Sequence, residues 1–165
     1  MMASNSQDNE EFLRSRLYRV AKRIIDKEFE SDDFKVQLPR EGAALESLPY
    51  GRAEELLVKA SGNYETISYA LAAAKSAHAY FTRMVEITKK QMLGDKELRE
   101  STKNEAERES VVYNDAKFLK YIQVVRTAET VAGYLEPLLK SSDETLQVVK
   151  KVRDAAWGRD NRTSR

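Results

Sequence analysis

Basic side chains recur at helical spacing near the amino terminus, and their chemistry is that of phosphate binding. Arg16, Arg19, Lys22 and Arg23 are separated by three or four residues or are adjacent, so they share one side of a helix. Cations arranged in this way bind nucleic-acid phosphates without reading sequence, and Tyr18 offers a ring for base stacking. A solvated face on a core-packed helix is an equally good interpretation, and attachment to a membrane surface ranks third.

The element that would position these cations is a basic amphipathic helix predicted over residues 9–29. Its apolar side comprises Leu13, Leu17, Val20, Ala21, Ile24 and Ile25. That side lacks tryptophan and carries aromatic rings only at its ends, Phe12 and Phe29, which is why membrane binding ranks last. We expect a disordered start over residues 1–8 and, because it contains two prolines and two glycines, a linker over residues 30–51.

The rest of the chain shows no constellation that would support catalysis. Phosphate-binding loops, nucleophile elbows and paired metal-binding histidines are missing from the sequence, which has no cysteine and 1 histidine. That histidine, His78, has Ala74 and Thr82 four residues away on either side, so no carboxylate is placed beside it for metal binding. We expect no catalytic residue, no cofactor and no metal site, and therefore no enzyme.

A heptad pattern predicts the central element. Apolar residues alternate in steps of three and four from residue 57 to residue 92, which favours one long helix over residues 52–93 packed as a coiled coil. The seam residues that we expect to pack against another helix are Leu57, Tyr64, Ile67, Leu71, His78, Phe81 and Val85. At this seam His78 is expected to be an interface histidine held by a polar neighbour, with a pH-sensitive role as the alternative.

A second long helix is predicted to begin at a capping box formed by Thr102 and Glu105 and to fold back on the first. Its predicted stripe is Phe118, Ile122, Val125, Ala128, Ala132, Leu135 and Leu139. Pro137 is expected to kink or end this helix, and Ser142 to cap a shorter terminal helix. The fold class is therefore all-α, with a helical hairpin and terminal helix over residues 52–158 as the oligomerisation core and a polar tail over residues 159–165.

Several aromatic residues accompany these helices. Tyr80 and Tyr121 fall off the predicted seams, which makes them candidates for stacking or subunit contact. Trp157 lies among basic residues near the carboxyl terminus, namely Lys150, Lys151 and Arg153. We expect Trp157 to anchor the last helix by packing, with nucleic-acid stacking as the minority interpretation.

Composition and charge add broad limits. Charged residues make up 33% of the chain and the formal net charge is +1, which fits long helices with solvated faces better than a thick globule. The amino terminus is polar and acidic, and the longest apolar stretch is too short to span a bilayer. We therefore expect a soluble protein of the cytoplasm.

The arrangement over about residues 53–157 resembles the UvsY-type phage recombination mediators. The similarity lies in a long helix that ends in a charged turn, a return helix and a terminal helix, seen here as EITKKQMLGDKELRESTKNEAE, SVVYNDAKFLKYIQVVRTAETVAGYLEPLL and VVKKVRDAAW. The resemblance implies an all-helical homo-oligomer that binds single-stranded DNA. It also implies that the protein helps to load a phage recombinase onto DNA covered by single-strand-binding protein.

In that family, basic residues near the end of the long helix contact DNA, and their positional equivalents here are Arg83, Lys89 and Lys90. The predicted DNA-contacting set is therefore Arg16, Arg19, Lys22, Arg23, Lys89 and Lys90. The alternative is a non-catalytic structural or adaptor protein whose basic helix docks on an acidic protein partner.

Overall fold

The computed structural model describes residues 4–30, 34–36 and 47–163 of the chain. These residues form five helices and no strand: α1 (Ser4–Ile25), α2 (Tyr50–Gly94), α3 (Lys96–Ser101), α4 (Glu105–Asn114) and α5 (Ala116–Thr163). The predicted all-α class is confirmed. Most of the predicted linker lies outside the described residues.

The chain divides into two compact units, and the three longest helices each contribute to both. Unit 1 contains the chain up to Lys22 together with Ala72–Ala132. Unit 2 contains Arg23–Leu71 and Gly133–Arg165, within the described ranges. Each unit therefore pairs one segment of α2 with one segment of α5.

The core of unit 1 is aromatic. Phe81 of α2 and Tyr121 of α5 are fully buried, with ring centroids 5.7 Å apart. Nearer the end of α2, Lys89 donates to Tyr113 of α4. Later residues of α2 therefore contact earlier residues of the returning helices. Leu17 of α1 and Phe118 of α5 are also buried in this unit. The antiparallel pairing expected of the two long helices is present here.

The core of unit 2 is built mainly from aliphatic residues. A cluster joins the first half of α2 to the last half of α5, and its buried members are Val36, Leu56, Ala60, Leu146 and Val149. The Tyr50 and Trp157 rings lie 5.2 Å apart at the far ends of the same two segments. The two segments are therefore antiparallel in this unit as well.

Helix α5 continues through Pro137, contrary to the prediction that the helix would end there or kink and be followed by a separate terminal helix. Proline lacks an N–H and crowds the carbonyl four residues earlier, here that of Gly133. Both residues are exposed, so water can reach the carbonyl that loses its bond. Ser142, which was expected to cap a new helix, is buried within α5. The helix also runs to Thr163, into the predicted tail.

The seam of α5 differs from the predicted stripe. Its buried residues, again at steps of three and four for most of their length, are Phe118, Tyr121, Val124, Ala128, Val131, Leu135, Ser142, Leu146, Val149 and Ala156. Tyr121 therefore belongs to the core, and the prediction that it lies off the seam as a ring for stacking or subunit contact is wrong. The predicted members Ile122, Val125, Ala132 and Leu139 are half-buried beside this line.

Side-chain caps set the start of the helices that follow α2. The Asn104 carboxamide oxygen accepts from Glu107 N at 2.9 Å and the Asp115 carboxylate accepts from Phe118 N at 2.7 Å. The predicted capping box at Thr102 is therefore wrong. The segment predicted to be one long second helix is divided at Asp115 into α4 and α5. Gly94 ends α2 without a positive φ.

Helix α1 is displaced from its predicted bounds. It begins at Ser4, so residues 4–8 are helical where a disordered start was predicted, and residues 1–3 lie outside the described chain. It ends at Ile25, before the predicted end at residue 29, because Lys27 adopts a left-handed conformation with φ 64°. The turn is closed by a 2.8 Å hydrogen bond from Glu28 N to Arg23 O.

The uninterrupted α5 gives a stability prediction. Replacing the exposed Pro137 by alanine restores a helical N–H, and we expect Pro137→Ala to raise the free energy of unfolding by about 1–3 kcal/mol. Urea unfolding followed by circular dichroism measures the change. The exposed Lys140→Ala is the matched control, for which we expect a change within about 0.5 kcal/mol. A loss of stability in Pro137→Ala would contradict the continuous helix.

Candidate nucleic-acid interface

Helix α1 is oriented by its apolar side. Leu17 and Val20, three residues apart, are buried, and Leu13 beside them is half-buried. Since side chains three or four residues apart lie on one side of a helix, burial of this side turns the other toward solvent. Ile25, at the last residue of the helix, departs from the predicted apolar face and is largely exposed.

Three of the predicted cations form an exposed row on α1. Arg16, Arg19 and Lys22 follow one another at intervals of three residues, and all three are exposed. Within the described ranges, Arg16 and Lys22 make no ion pair or side-chain hydrogen bond. Arg19 Nε donates only to Ser15 O of its own helix, at 3.4 Å. We call these three residues the basic row; their positive charge is not neutralised by contacts in the described chain.

Arg23 has a different role from the basic row. Its Nε lies 2.7 Å from Glu28 Oε2, and its guanidinium lies 4.4 Å from the centroid of the Phe29 ring. Tyr134 Oη in turn donates to Phe29 O at 2.8 Å. Arg23 thus ties the end of α1 to the turn that follows it, and its positive charge is paired with the Glu28 carboxylate.

Lys89 is also occupied, unlike its neighbour Lys90. Its ammonium lies 2.9 Å from Glu109 Oε1 and donates to Tyr113 Oη at 3.2 Å. The hydrogen bond to Glu109, followed by the one to Tyr113, raises the pKa of Lys89 above its ordinary value. Lys90 and Arg83 are exposed and seven residues apart, which puts them on one side of α2. Lys89 is therefore engaged in contacts within the protein, whereas the exposed Lys90 and Arg83 are accessible to a phosphate.

The predicted seam residues of α2 pack inside the chain. Ile67, Leu71 and Phe81 are buried, whereas Leu57, Tyr64, His78 and Val85 are half-buried. Leu57 and Tyr64 pack on the core of unit 2. The seam thus serves the contact between α2 and the chain's own helices, and a role in oligomerisation stays a prediction.

Sequence reasoning missed a groove in unit 1 between α1, α2 and α5. Its volume is about 800 Å³ and its lining includes Glu10, Arg14, Tyr18, Lys117 and Tyr121. Arg14 Nη2 lies 2.9 Å from Glu10 Oε1, and Tyr121 Oη donates to Glu10 Oε2 at 3.2 Å. The spacing of Glu10 and Arg14 was a visible signal for the ion pair, but the assignment of Tyr121 to the surface hid the groove.

Tyr121 lines this groove as a buried phenol. Burial, followed by the negative charge of Glu10, raises the pKa of Tyr121 to about 12. Its phenol is therefore a neutral hydrogen-bond donor, and it contributes no base. Arg14 is held over the Phe81 ring at 5.6 Å, so its position is fixed by packing as well as by charge.

The carboxyl-terminal cluster follows the packing interpretation in part. Trp157 contacts Tyr50 but remains 55% exposed, and Arg153 pairs with the adjacent Asp154 at 2.9 Å. Lys150 and Lys151 are exposed.

Among the described residues, no group of three or more histidine, aspartate or glutamate side chains is arranged to hold a metal ion. None of the described helices combines the length and the apolar character that a membrane span requires.

Comparisons with protein-family models, with curated proteins and with solved structures find no match to this chain. The resemblance to the UvsY-type mediators therefore rests on the helical pattern of the sequence alone.

The environment of Tyr121 predicts a specific alkaline behaviour. Because folding raises this pKa from 10.0 to about 12, the contribution of the neutral phenol is complete below pH 10 and is lost as pH rises toward 12. Phenylalanine cannot ionise, so Tyr121→Phe should lose less stability than the natural chain over that interval. At pH 7 the variant should be about 1 kcal/mol less stable, since it lacks the bond to Glu10.

Urea unfolding at pH 7, 10 and 11.5 measures both effects. Lys89 also loses its contribution at alkaline pH, but it does so equally in both proteins, so the difference isolates Tyr121. Parallel loss of stability in the two proteins would contradict the assignment.

Proposed function

We propose that this protein binds single-stranded DNA without sequence preference through the basic row of α1, and that it acts as a recombination mediator. In this role it assists the loading of a recombinase onto DNA covered by single-strand-binding protein. The observation that carries the proposal is the exposure of Arg16, Arg19 and Lys22 on a helix whose other side is buried. Within the part of the chain that the structure describes, these three cations have no acidic partner. The function is one of binding, not of catalysis.

The basic row suits a phosphate backbone. Its members are one helical turn apart, and their long side chains can adjust to successive phosphates of a flexible strand. Burial of Leu17 and Val20 fixes the helix, so the cations are presented from a rigid base. Charge contacts of this kind carry no base recognition, which accounts for the proposed indifference to sequence.

Other cations have smaller parts in this proposal. Lys90 and Arg83 provide a second exposed pair on α2, in agreement with the family resemblance. Lys89 and Arg23 were predicted to contact DNA, but their carboxylate partners would have to be displaced first. We therefore assign them to the structure of the protein.

A homo-oligomer completes the proposal. Three cations bind a strand weakly, whereas repetition of the row around an assembly multiplies the affinity through effective concentration. Val58 and Tyr69 lie on one side of α2 with exposed fractions of 69% and 66%, so they are available to a contact between copies of the chain. The proposed partners are single-stranded DNA, further copies of the chain, the recombinase and the single-strand-binding protein.

The competing function is that of an adaptor whose basic row docks on an acidic protein segment. The same exposed cations support it, and it requires no nucleic acid. The two functions differ in the expected response to DNA, which makes a binding experiment decisive.

The test is fluorescence anisotropy of a labelled single-stranded oligonucleotide at 20 and 200 mM salt. For the natural chain we expect affinity to fall steeply with salt, since phosphate contacts release counterions. The variant Arg16→Glu, Arg19→Glu, Lys22→Glu should bind at least about tenfold more weakly at low salt and show a shallower salt dependence. Circular dichroism confirms that both proteins are folded.

The matched control reverses three other exposed cations, Lys59→Glu, Lys120→Glu and Arg126→Glu, and so changes the net charge equally. We expect it to retain most of the affinity. If it loses as much as the row variant, net charge and not the row determines binding. If the folded natural chain does not bind DNA at low salt, the mediator proposal fails and the adaptor is favoured.

A further inference from the structure

Phe12 interrupts the polar surface beside the basic row. It precedes Arg16 by four residues and Arg19 by seven, so the three side chains share one side of α1. Its ring is 52% exposed, whereas Phe29, the aromatic residue at the other end of the predicted apolar face, is fully buried. Phe12, which the sequence places at one end of the apolar face, is therefore an exposed ring in the structure.

Acidic residues precede Phe12 along α1, whereas the residue one turn after it is basic. Asp8, one turn before it, and Glu11, beside it in sequence, are exposed acids that would repel a phosphate. Arg16, one turn after it, is an exposed cation with no ion-pair partner among the described residues. The phosphate contacts of a DNA strand bound along the basic row would therefore end at Phe12. At that position the strand would meet an aromatic ring instead of a cation.

We propose that Phe12 stacks on an unpaired base of the bound strand while Arg16 and Arg19 hold its phosphates. The proposal rests on the proposed function and adds to it a basis for selecting single strands over duplexes. Bases within a duplex are already stacked on one another and do not offer a face to the ring, whereas a single strand does. Every base has such a face, so the contact preserves indifference to sequence.

An exposed phenylalanine on a basic helix also suits a membrane surface, but the burial pattern opposes that occupant. Membrane-surface helices insert a continuous apolar side into the lipid. Here Leu17 and Val20 of that side are buried in the protein core and are not free to insert. A single ring flanked by two acids is a poor anchor for an anionic bilayer.

The experiment compares variants of Phe12 in anisotropy titrations against a labelled single strand and its duplex. Phe12→Ala and Phe12→Leu should each weaken single-strand binding by about tenfold and leave duplex binding unchanged. Phe12→Trp should retain the affinity, because it keeps an aromatic face. The ratio of affinities between the natural chain and Phe12→Ala should stay constant with salt, unlike that of the row variant.

Tyr18→Ala is the matched control. The sequence offers the Tyr18 ring for base stacking, but the structure places it in the lining of the groove of unit 1 and not beside the basic row. It lies on the same helix as Phe12 with a similar exposed fraction of 42%. We expect its removal to leave single-strand affinity nearly unchanged. Vesicles containing phosphatidylserine serve as the membrane probe, and we expect no binding that depends on Phe12.

The outcomes separate this inference from the proposed function. If the natural chain binds no single strand, both fail together. If it binds and Phe12→Ala matches it, only the stacking inference is overturned. Equal losses for single strand and duplex, a loss in Tyr18→Ala alone, or binding to vesicles that disappears in Phe12→Ala would each overturn it as well.

Discussion

Burial of one side of α1 is the constraint on which the candidate interface depends. Leu17 and Val20 are removed from water, so the cations that alternate with them along the helix must face outward. The contacts of the neighbouring groove support this placement, since Glu10 accepts from Tyr121 and Arg14 lies over Phe81. A hydrophobic contact thus determines where the charge is displayed.

The structure divides the basic residues by the partners they have. Arg23 and Lys89 are each held by a carboxylate and an aromatic ring, so they stabilise a turn and a helix contact. Arg16 and Lys22 have no such partners in the described chain, and they retain the charge that an anionic ligand would need. The sequence analysis places all four residues in one DNA-contacting set, Lys89 through the family resemblance and the others through their spacing. The geometry divides them into two classes with different consequences for substitution.

The periodic features were predictable from sequence and the local ones were not. Repeats maintained over many turns identified α2 and the buried side of α1, since burial of a stripe tolerates small errors at any one residue. Tyr121 was misplaced because its ring enters the core one position from the expected line. The effect of Pro137 was predicted wrongly because the helix can continue where water reaches the carbonyl that loses its bond. The break at Asp115 was not predicted because it depends on a side-chain cap at that single residue. The exposed Phe12 required knowledge of which side of α1 is covered.

The measurement that tests the central claim most directly is photo-crosslinking of the natural chain to a single strand containing 4-thiothymidine, with the linked peptide identified by mass spectrometry. If α1 presents the basic row on its exposed side, crosslinks should concentrate within residues 12–23 and decline as salt rises. Crosslinks confined to other helices, with α1 unlabelled, would contradict the account.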